Sequence, residues 1–156
     1  KKFSSFEINA PYTIVLDGIR DPGNLGTIIR ICDWYGFKQL ILSDDCTEFY
    51  NPKVIMSSMG SFTRIEFLYV DLSIFFSQHE DIKKIGAVLD GVNIHKYQFP
   101  SKGFIILGNE SNGIRNEIME CLDERITIPA FGQAESLNVG ISTAVIADNL
   151  KRFILS

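Results

Sequence analysis

Short runs of unbroken apolar residues alternate along the chain with segments whose apolar residues recur at helical spacing. The first run, Thr13 to Asp17, is ended by Gly18 and by Asp21-Pro22-Gly23, and predicts a buried strand. From Leu25 to Tyr35, the residues Leu25, Ile28, Ile29 and Cys32 follow the repeat of one helix face, and Gly36 stops the helix. Gln39 to Ser43, Ile65 to Val70, Ile85 to Leu89, Gly103 to Leu107 and Arg125 to Ile128 predict five more strands. Between them, Pro52 to Ser58 predicts a helix with Asn51 as N-cap and Pro52 in the first turn. Asp71 predicts the cap of a helix running through Ile82. Ile114 to Cys121 predicts a short helix, and Asn138 to Phe153 a long last one.

Strands that are apolar on both faces and separated by helices form the pattern of a parallel sheet covered by helices on both faces, an α/β fold. No repeat or linker divides the 156 residues, a length that suits one domain, with residues 1–12 as a lead-in. Ligands of such sheets sit at the carboxyl ends of strands. The segments to inspect are therefore Gly18 to Asn24, Asp90 to Ile94, Gly108 to Gly113 and Pro129 to Ser136.

Charge changes the picture in one respect. Nineteen acidic residues against 15 Lys and Arg give a formal net charge of −4, which excludes a histone-like polyanion binder. A local basic patch of Arg20, Lys53, Arg64 and Arg115 stays open. Three cysteines without a CxxC and two histidines give no disulfide framework and no metal site. No signal peptide is visible and no apolar run approaches the roughly 18 residues of a membrane span, so the expected compartment is the cytoplasm. The fingerprints G-x-G-x-x-G, Gly-Lys-Ser/Thr and G-x-S-x-G are all absent, which removes the commonest nucleotide-binding and hydrolytic enzymes on such a sheet.

Three segments carry candidate chemistry. In Asp21 to Arg30, Asn24 sits where an N-cap is expected. Arg30 lies opposite the apolar stripe, with Gly23, Gly26 and Thr27 leaving its guanidinium uncovered. In Leu107 to Ile114, an apolar strand delivers Gly108, and Asn109, Glu110, Ser111 and Asn112 form a polar cluster closed by Gly113. In Ile128 to Ser142, Ser136 is placed to cap the last helix with Asn138 in its first turn. Ile128, Ala130 and Leu137 would wall a flat pocket suited to an adenine ring, and Gly140 inside the helix argues for close packing or function. Each segment alone is also compatible with an ordinary capped loop.

Taken in order, the three segments resemble the SpoU/TrmH family of RNA ribose 2′-O-methyltransferases, within the SPOUT superfamily. The family's Asn-x-Gly followed by Arg is matched by Asn24, Gly26 and Arg30. Its Leu-Gly-x-Glu is matched by Leu107, Gly108 and Glu110, and its Ile-Pro, Gly and Ser-Leu-Asn-Val by Ile128, Pro129, Gly132, Ser136, Leu137, Asn138 and Val139. The resemblance runs from about Val15 to the C-terminus. The chain departs from it at Ala130, where the family often has Met, and at Gly140, Ile141 and Ser142.

The resemblance implies a C-terminal deep trefoil knot, a rare exception to the rule against threaded chains. It implies S-adenosyl-L-methionine as cofactor, held around Leu107, Gly108, Asn109, Ile128, Ala130, Ser136 and Leu137. It implies a homodimer with sites at the subunit interface, for which the last helix and the helix bearing Asn24 and Arg30 are the candidates. The reaction moves a methyl group from a sulfonium to a ribose 2′-oxygen of RNA, ribosomal RNA by first expectation. Arg30 would act on the hydroxyl, either as base or as a cation gripping phosphate and stabilising the alkoxide. Asn24, Glu110, Ser136 and Asn138 would position Arg30 and the ribose. A transfer-RNA enzyme and a noncatalytic RNA-binding protein of the same fold are the alternatives. Many family members carry an N-terminal RNA-binding domain; here only about a dozen residues precede the first strand, so RNA selection comes from elsewhere or that domain has been removed.

Overall fold

The computed structural model describes residues 6–156. The strands β1 (Tyr12–Asp17), β2 (Gln39–Ser43), β3 (Glu66–Val70), β4 (Lys83–Asn93), β5 (Gly103–Gly108) and β6 (Glu124–Thr127) form one sheet in the order β3-β2-β1-β5-β4-β6. Every pairing is parallel. The helices are α1 (Pro22–Trp34), α2 (Pro52–Ser57), α3 (Leu72–Ser77), α4 (Asn116–Met119) and α5 (Val139–Leu155).

The period-two alternation within each strand divides the core. Ile14 and Leu16, Leu40 and Leu42, and Ile105 and Leu107 project into the cluster that holds the apolar stripes of α1 and α5. Val15, Ile41, Phe104 and Ile106 project to the other face, where Leu72, Phe75 and Phe76 of α3 and Ile118 of α4 cover them. The sheet is therefore covered on both faces, as the apolar runs predict.

The structure moves several predicted boundaries. α1 starts at Pro22 under Asp21, whose Oδ1 accepts the Asn24 N–H at 2.7 Å. Asn24 is therefore not the cap. Asn138, not Ser136, caps α5. α3 ends at Ser77, five residues before Ile82, because polar Gln78, Glu80 and Asp81 break its apolar repeat and the chain turns at His79. The predicted loop Asp90 to Ile94 is largely strand: β4 continues to Asn93 through a bulge, with both Ala87 and Val92 opposite Ile126. Gly91 permits this, since a Cβ there would stand 2.6 Å from the backbone nitrogen of Ile126.

Strand order reverses between β1, which connects outward to β2, and β5, which connects past β4 to β6. A crevice outside the carboxyl ends of these two neighbours is the expected ligand position. Asp17 of β1 lies beside Gly108 of β5 there.

Two glycines set how closely α1 is packed. Gly26 is buried under α2: a Cβ would land on Ser57 Oγ and 2.7 Å from the backbone oxygen of Val54. It does not leave the Arg30 side of α1 open, as its small size predicts from sequence. Gly140 lets α5 approach Thr27 of α1, whose Cγ2 would be 3.0 Å from an added Cβ. Further along the same pair of helices, the Tyr35 hydroxyl donates to Asp148 at 3.4 Å. Gly26→Ala is expected to destabilise the protein by roughly 1–3 kcal/mol through overpacking. That lowers the melting temperature by about 2–4 °C per kcal/mol, measured by circular dichroism. An unchanged melt would mean that α2 does not press on Gly26.

Candidate active site

With Asp21 as cap, the Asn24 side chain is released for long-range contacts. Its Nδ2 donates to Glu110 Oε1 at 3.0 Å, and its Oδ1 accepts from Asn138 Nδ2 at 2.9 Å. Asn138 Oδ1 in turn accepts from the N–H groups of Gly140, at 2.8 Å, and Ile141, at 3.3 Å. The direction of this chain is fixed at its helical end. The first N–H groups of α5 have no acceptor within the helix, so Asn138 must present its oxygen to them and its NH2 outward. Asn24 must then present its oxygen to Asn138 and its NH2 to Glu110. Three predicted residues, 24, 110 and 138, are thus joined by hydrogen bonds across separations of 86 and 114 positions.

The loop bearing Glu110 is built around Asn109. Its backbone N–H and C=O pair with Gly113 at 3.0 and 2.9 Å. Its Oδ1 accepts from the N–H of Ser111 at 2.9 Å and of Asn112 at 3.2 Å, and its Nδ2 donates to the backbone oxygen of Gly18 at 2.7 Å. Both ends of the amide are engaged within the protein, so the side chain organises the loop. Gly108 is required by the same folding back: a Cβ there would meet the backbone of Gly113 and Ile114. Gly113 closes the turn at φ 68°.

A cavity of about 730 Å³ opens between this loop, the end of β6 and segment 128–138. Leu107, Gly108, Asn109, Ile128, Ala130, Ser136 and Leu137 all line it, as does Glu110. The volume lies in the range of small-molecule sites. Its walls are mostly aliphatic, and its charged lining residues are Glu110 and Glu135, with no Lys or Arg. Such a cavity suits a ligand with a flat apolar part and a positive charge, and disfavours a phosphate. Residues 130–138 are all exposed and form an open wall, with the Phe131 ring 93% exposed. Asn24 and Asn138 lie outside the lining; Asn24 meets Glu110 at its edge, and Asn138 meets Asn24.

Arg30 is not brought into this cluster. It is exposed on α1, roughly 9 Å along the helix axis beyond Asn24, and lines no part of the cavity. The predicted basic patch is largely neutralised. Arg64 donates to Asp33 through Nε at 3.0 Å and Nη2 at 2.7 Å, and this holds the Asp33 carboxyl below its usual range. Arg20 pairs with Asp45 at 3.1 Å, and Arg115 with the wholly buried Asp17 at 2.6 Å. Hydrogen bonding to Asp17 raises the already high pKa of Arg115. Lys53 is exposed at the start of α2. Sequence reasoning missed Asp17 and Asp45. The signal for Asp17 was available: a carboxylate ending an otherwise apolar strand needs a partner. Among the described residues, no group of three or more His, Cys, Asp or Glu is placed to hold a metal ion, and no helix is long and apolar enough to cross a membrane.

The chain is 32% identical over 141 residues to the 23S rRNA (guanosine(2553)-2'-O)-methyltransferase RlmP of Bacillus subtilis, covering 88% of this chain and 57% of that protein. Among solved structures, the AdoMet-bound rRNA methyltransferase from Sinorhizobium meliloti superposes with a TM-score of 0.87 at 30% identity, covering 94% of this chain and 58% of that one. The SpoU methyltransferase AviRb from Streptomyces viridochromogenes, in complex with AdoMet, gives 0.87 at 25% identity, with 95% and 62% covered. The chain thus spans less than two thirds of the length of each. Residues 11–148, which contain every candidate residue above, match the SpoU rRNA Methylase family, and the chain belongs to that family.

Proposed function

We propose that this chain is the methyltransferase domain of an S-adenosylmethionine-dependent RNA 2′-O-ribose methyltransferase acting on ribosomal RNA in the cytoplasm. The observation that carries the reading is the hydrogen-bonded chain Asn138–Asn24–Glu110 at the edge of a cavity lined by two carboxylates and no cation. The cavity fits the cofactor: aliphatic walls for adenosine, and Glu110 and Glu135 for the cationic centres. Backbone around Gly108, Ile128 and Leu137, with Leu107, Asn109, Ala130 and Ser136, would hold it. When bound, S-adenosylmethionine supplies a methyl group already activated on a sulfonium. The remaining work of the protein is alignment. Glu110, oriented by Asn24, is an acceptor for a ribose hydroxyl. Arg30, which stands outside the cavity of its own chain, is the cation that would grip a phosphate and stabilise the alkoxide in a site completed across the proposed dimer. The ribosomal rather than transfer-RNA reading rests on the Bacillus and Sinorhizobium relatives, both named for rRNA. The noncatalytic alternative is disfavoured because the polar chain is intact.

The C-terminal trefoil knot is part of the proposal. Its support is segment 94–102, which joins β4 to β5 without a helix and lies against α5: Phe99 packs on Tyr97 and on Phe153, with ring centroids 4.8 and 5.6 Å apart. The homodimer is proposed through α1 and α5. Val139, Ile146 and Leu150 of α5 are taken up by the core, Val145 and Phe153 are half-buried, and Ile154 is exposed. Ile141, 54% exposed, and Trp34 of α1, 83% exposed, supply further uncovered apolar surface.

Arg30→Ala is expected to lower single-turnover methylation of 23S rRNA by about 10²-fold or more, the scale of one preorganised electrostatic contact. Arg30→Lys should rescue little, because a point charge lacks the planar fork. Melting temperature and the calorimetric affinity for S-adenosylmethionine should stay unchanged. Full activity in Arg30→Ala would remove Arg30 from the mechanism, and a wild type that neither binds the cofactor nor methylates RNA would sink the reading. In analytical ultracentrifugation the chain is expected to sediment as a dimer with an interface of at least about 1,000 Å². Trp34→Glu should shift it to monomer. A concentration-independent wild-type monomer would refute the dimer.

A further inference from the structure

Among the described residues, the mechanism above leaves one wholly buried carboxylate unused. Asp17 ends β1 with 0% exposure. Both of its oxygens are engaged by one residue: Oδ2 accepts the Arg115 backbone N–H at 2.8 Å, and Oδ1 accepts from Arg115 Nε at 2.7 Å and is ion-paired with Nη2 at 2.6 Å. A buried ion pair is a poor source of net stability, because desolvation offsets the attraction. What it supplies is direction.

That direction concerns the loop bearing Glu110. Arg115 lies just past the loop's far end. At its near end, Asn109 Nδ2 donates to the backbone oxygen of Gly18, the residue after Asp17. Both ends are thus tied to the same two residues at the tip of β1. Between them, Glu110, Ser111, Asn112 and Gly113 are all exposed. The chain that leaves β1 from this tip becomes α1 and carries Asn24. Both partners of the 3.0 Å Asn24–Glu110 bond are therefore referenced to Asp17 and Gly18.

We propose that Asp17 and Arg115 form a positioning pair that holds the 108–113 loop so that Glu110 stays within reach of Asn24, and that Arg115 acts through Glu110 rather than by contacting RNA. The guanidinium has carboxylates on its other sides as well, Asp45 and Glu117, each at 3.7 Å, so it is a weak phosphate ligand. For its kinetic arm the inference rests on the methyltransferase reading.

The test uses Arg115→Lys, which keeps the charge and loses the fork, because an uncharged residue would strand a buried carboxylate and risk unfolding. Single-turnover methylation should fall by about tenfold or more, since small misplacements are costly in aligned transfers. The affinity for RNA should stay within about twofold of wild type, well short of that loss, because Arg115 is not an RNA contact. In a Glu110→Gln background the same substitution should cause no further loss, because residues acting as one unit are not additive. Hydrogen–deuterium exchange of the variant, without cofactor or RNA, should speed up at residues 109–113 and stay at wild-type rates elsewhere. Additive losses, or unchanged exchange in the loop, would overturn the pair's role. Faster exchange along the whole chain would do the same, by making the pair a general fold contact. If the wild type transfers no methyl group to RNA, the functional reading falls, and the exchange pattern alone decides the positioning claim.

Discussion

The first turn of α5 has backbone N–H groups that no helical carbonyl accepts, and Asn138 satisfies two of them with one side-chain oxygen. This requirement orients the rest of the site. An amide whose oxygen is committed has only its NH2 to offer, so Asn24 must meet it with oxygen, and Glu110 must meet Asn24 with oxygen. Asn138 Nδ2, Asn24 Nδ2 and Glu110 Oε1 therefore have one consistent arrangement, set by helix chemistry rather than by a ligand. An aspartate at 138 would keep the cap but lose the donor to Asn24.

The site and the whole chain have different electrostatic characters. The cavity lining has carboxylates and no cation. Arg20, Arg64 and Arg115 are each held by an aspartate, and Arg30 stands apart on α1. A polyanion would gain little from the cavity and a cationic small molecule much. On the proposed reading the two substrates are sorted by charge before any specific contact forms: the cofactor into the cavity, the RNA backbone toward α1.

The sheet and its two-sided cover are legible in the sequence because their signal is local. Unbroken apolar runs such as Ile14–Leu16 and Ile105–Leu107 need cover on both faces, whatever else the chain does. Part of the cavity lining was also readable, since Leu107, Gly108, Ile128 and Leu137 follow from strand ends and a family motif. What was not legible depends on pairs distant in sequence. Asp21-Pro22 carries the same cap signal as Asn51-Pro52, but nothing nearby shows the use to which Asn24 is then put, a bond to Glu110, 86 residues away. Arg115 reads as part of a local basic patch because its partner lies 98 positions earlier. Gly26 was read as opening a surface, when the space beside it belongs to α2.

The bulge in β4 has a consequence of its own. Ile126 of β6 stands opposite both Ala87 and Val92, so Val88 to Gly91 are looped out between two points of the same register. Val88 and Leu89 of this excursion line the cavity, and Thr127 Oγ1 ties its crest by donating to the Leu89 carbonyl oxygen at 3.2 Å. Lengthening or shortening the excursion leaves the pairings on either side unaltered. This wall of the cavity is therefore the part of the pocket whose contour can diverge between relatives while the sheet beneath it stays the same.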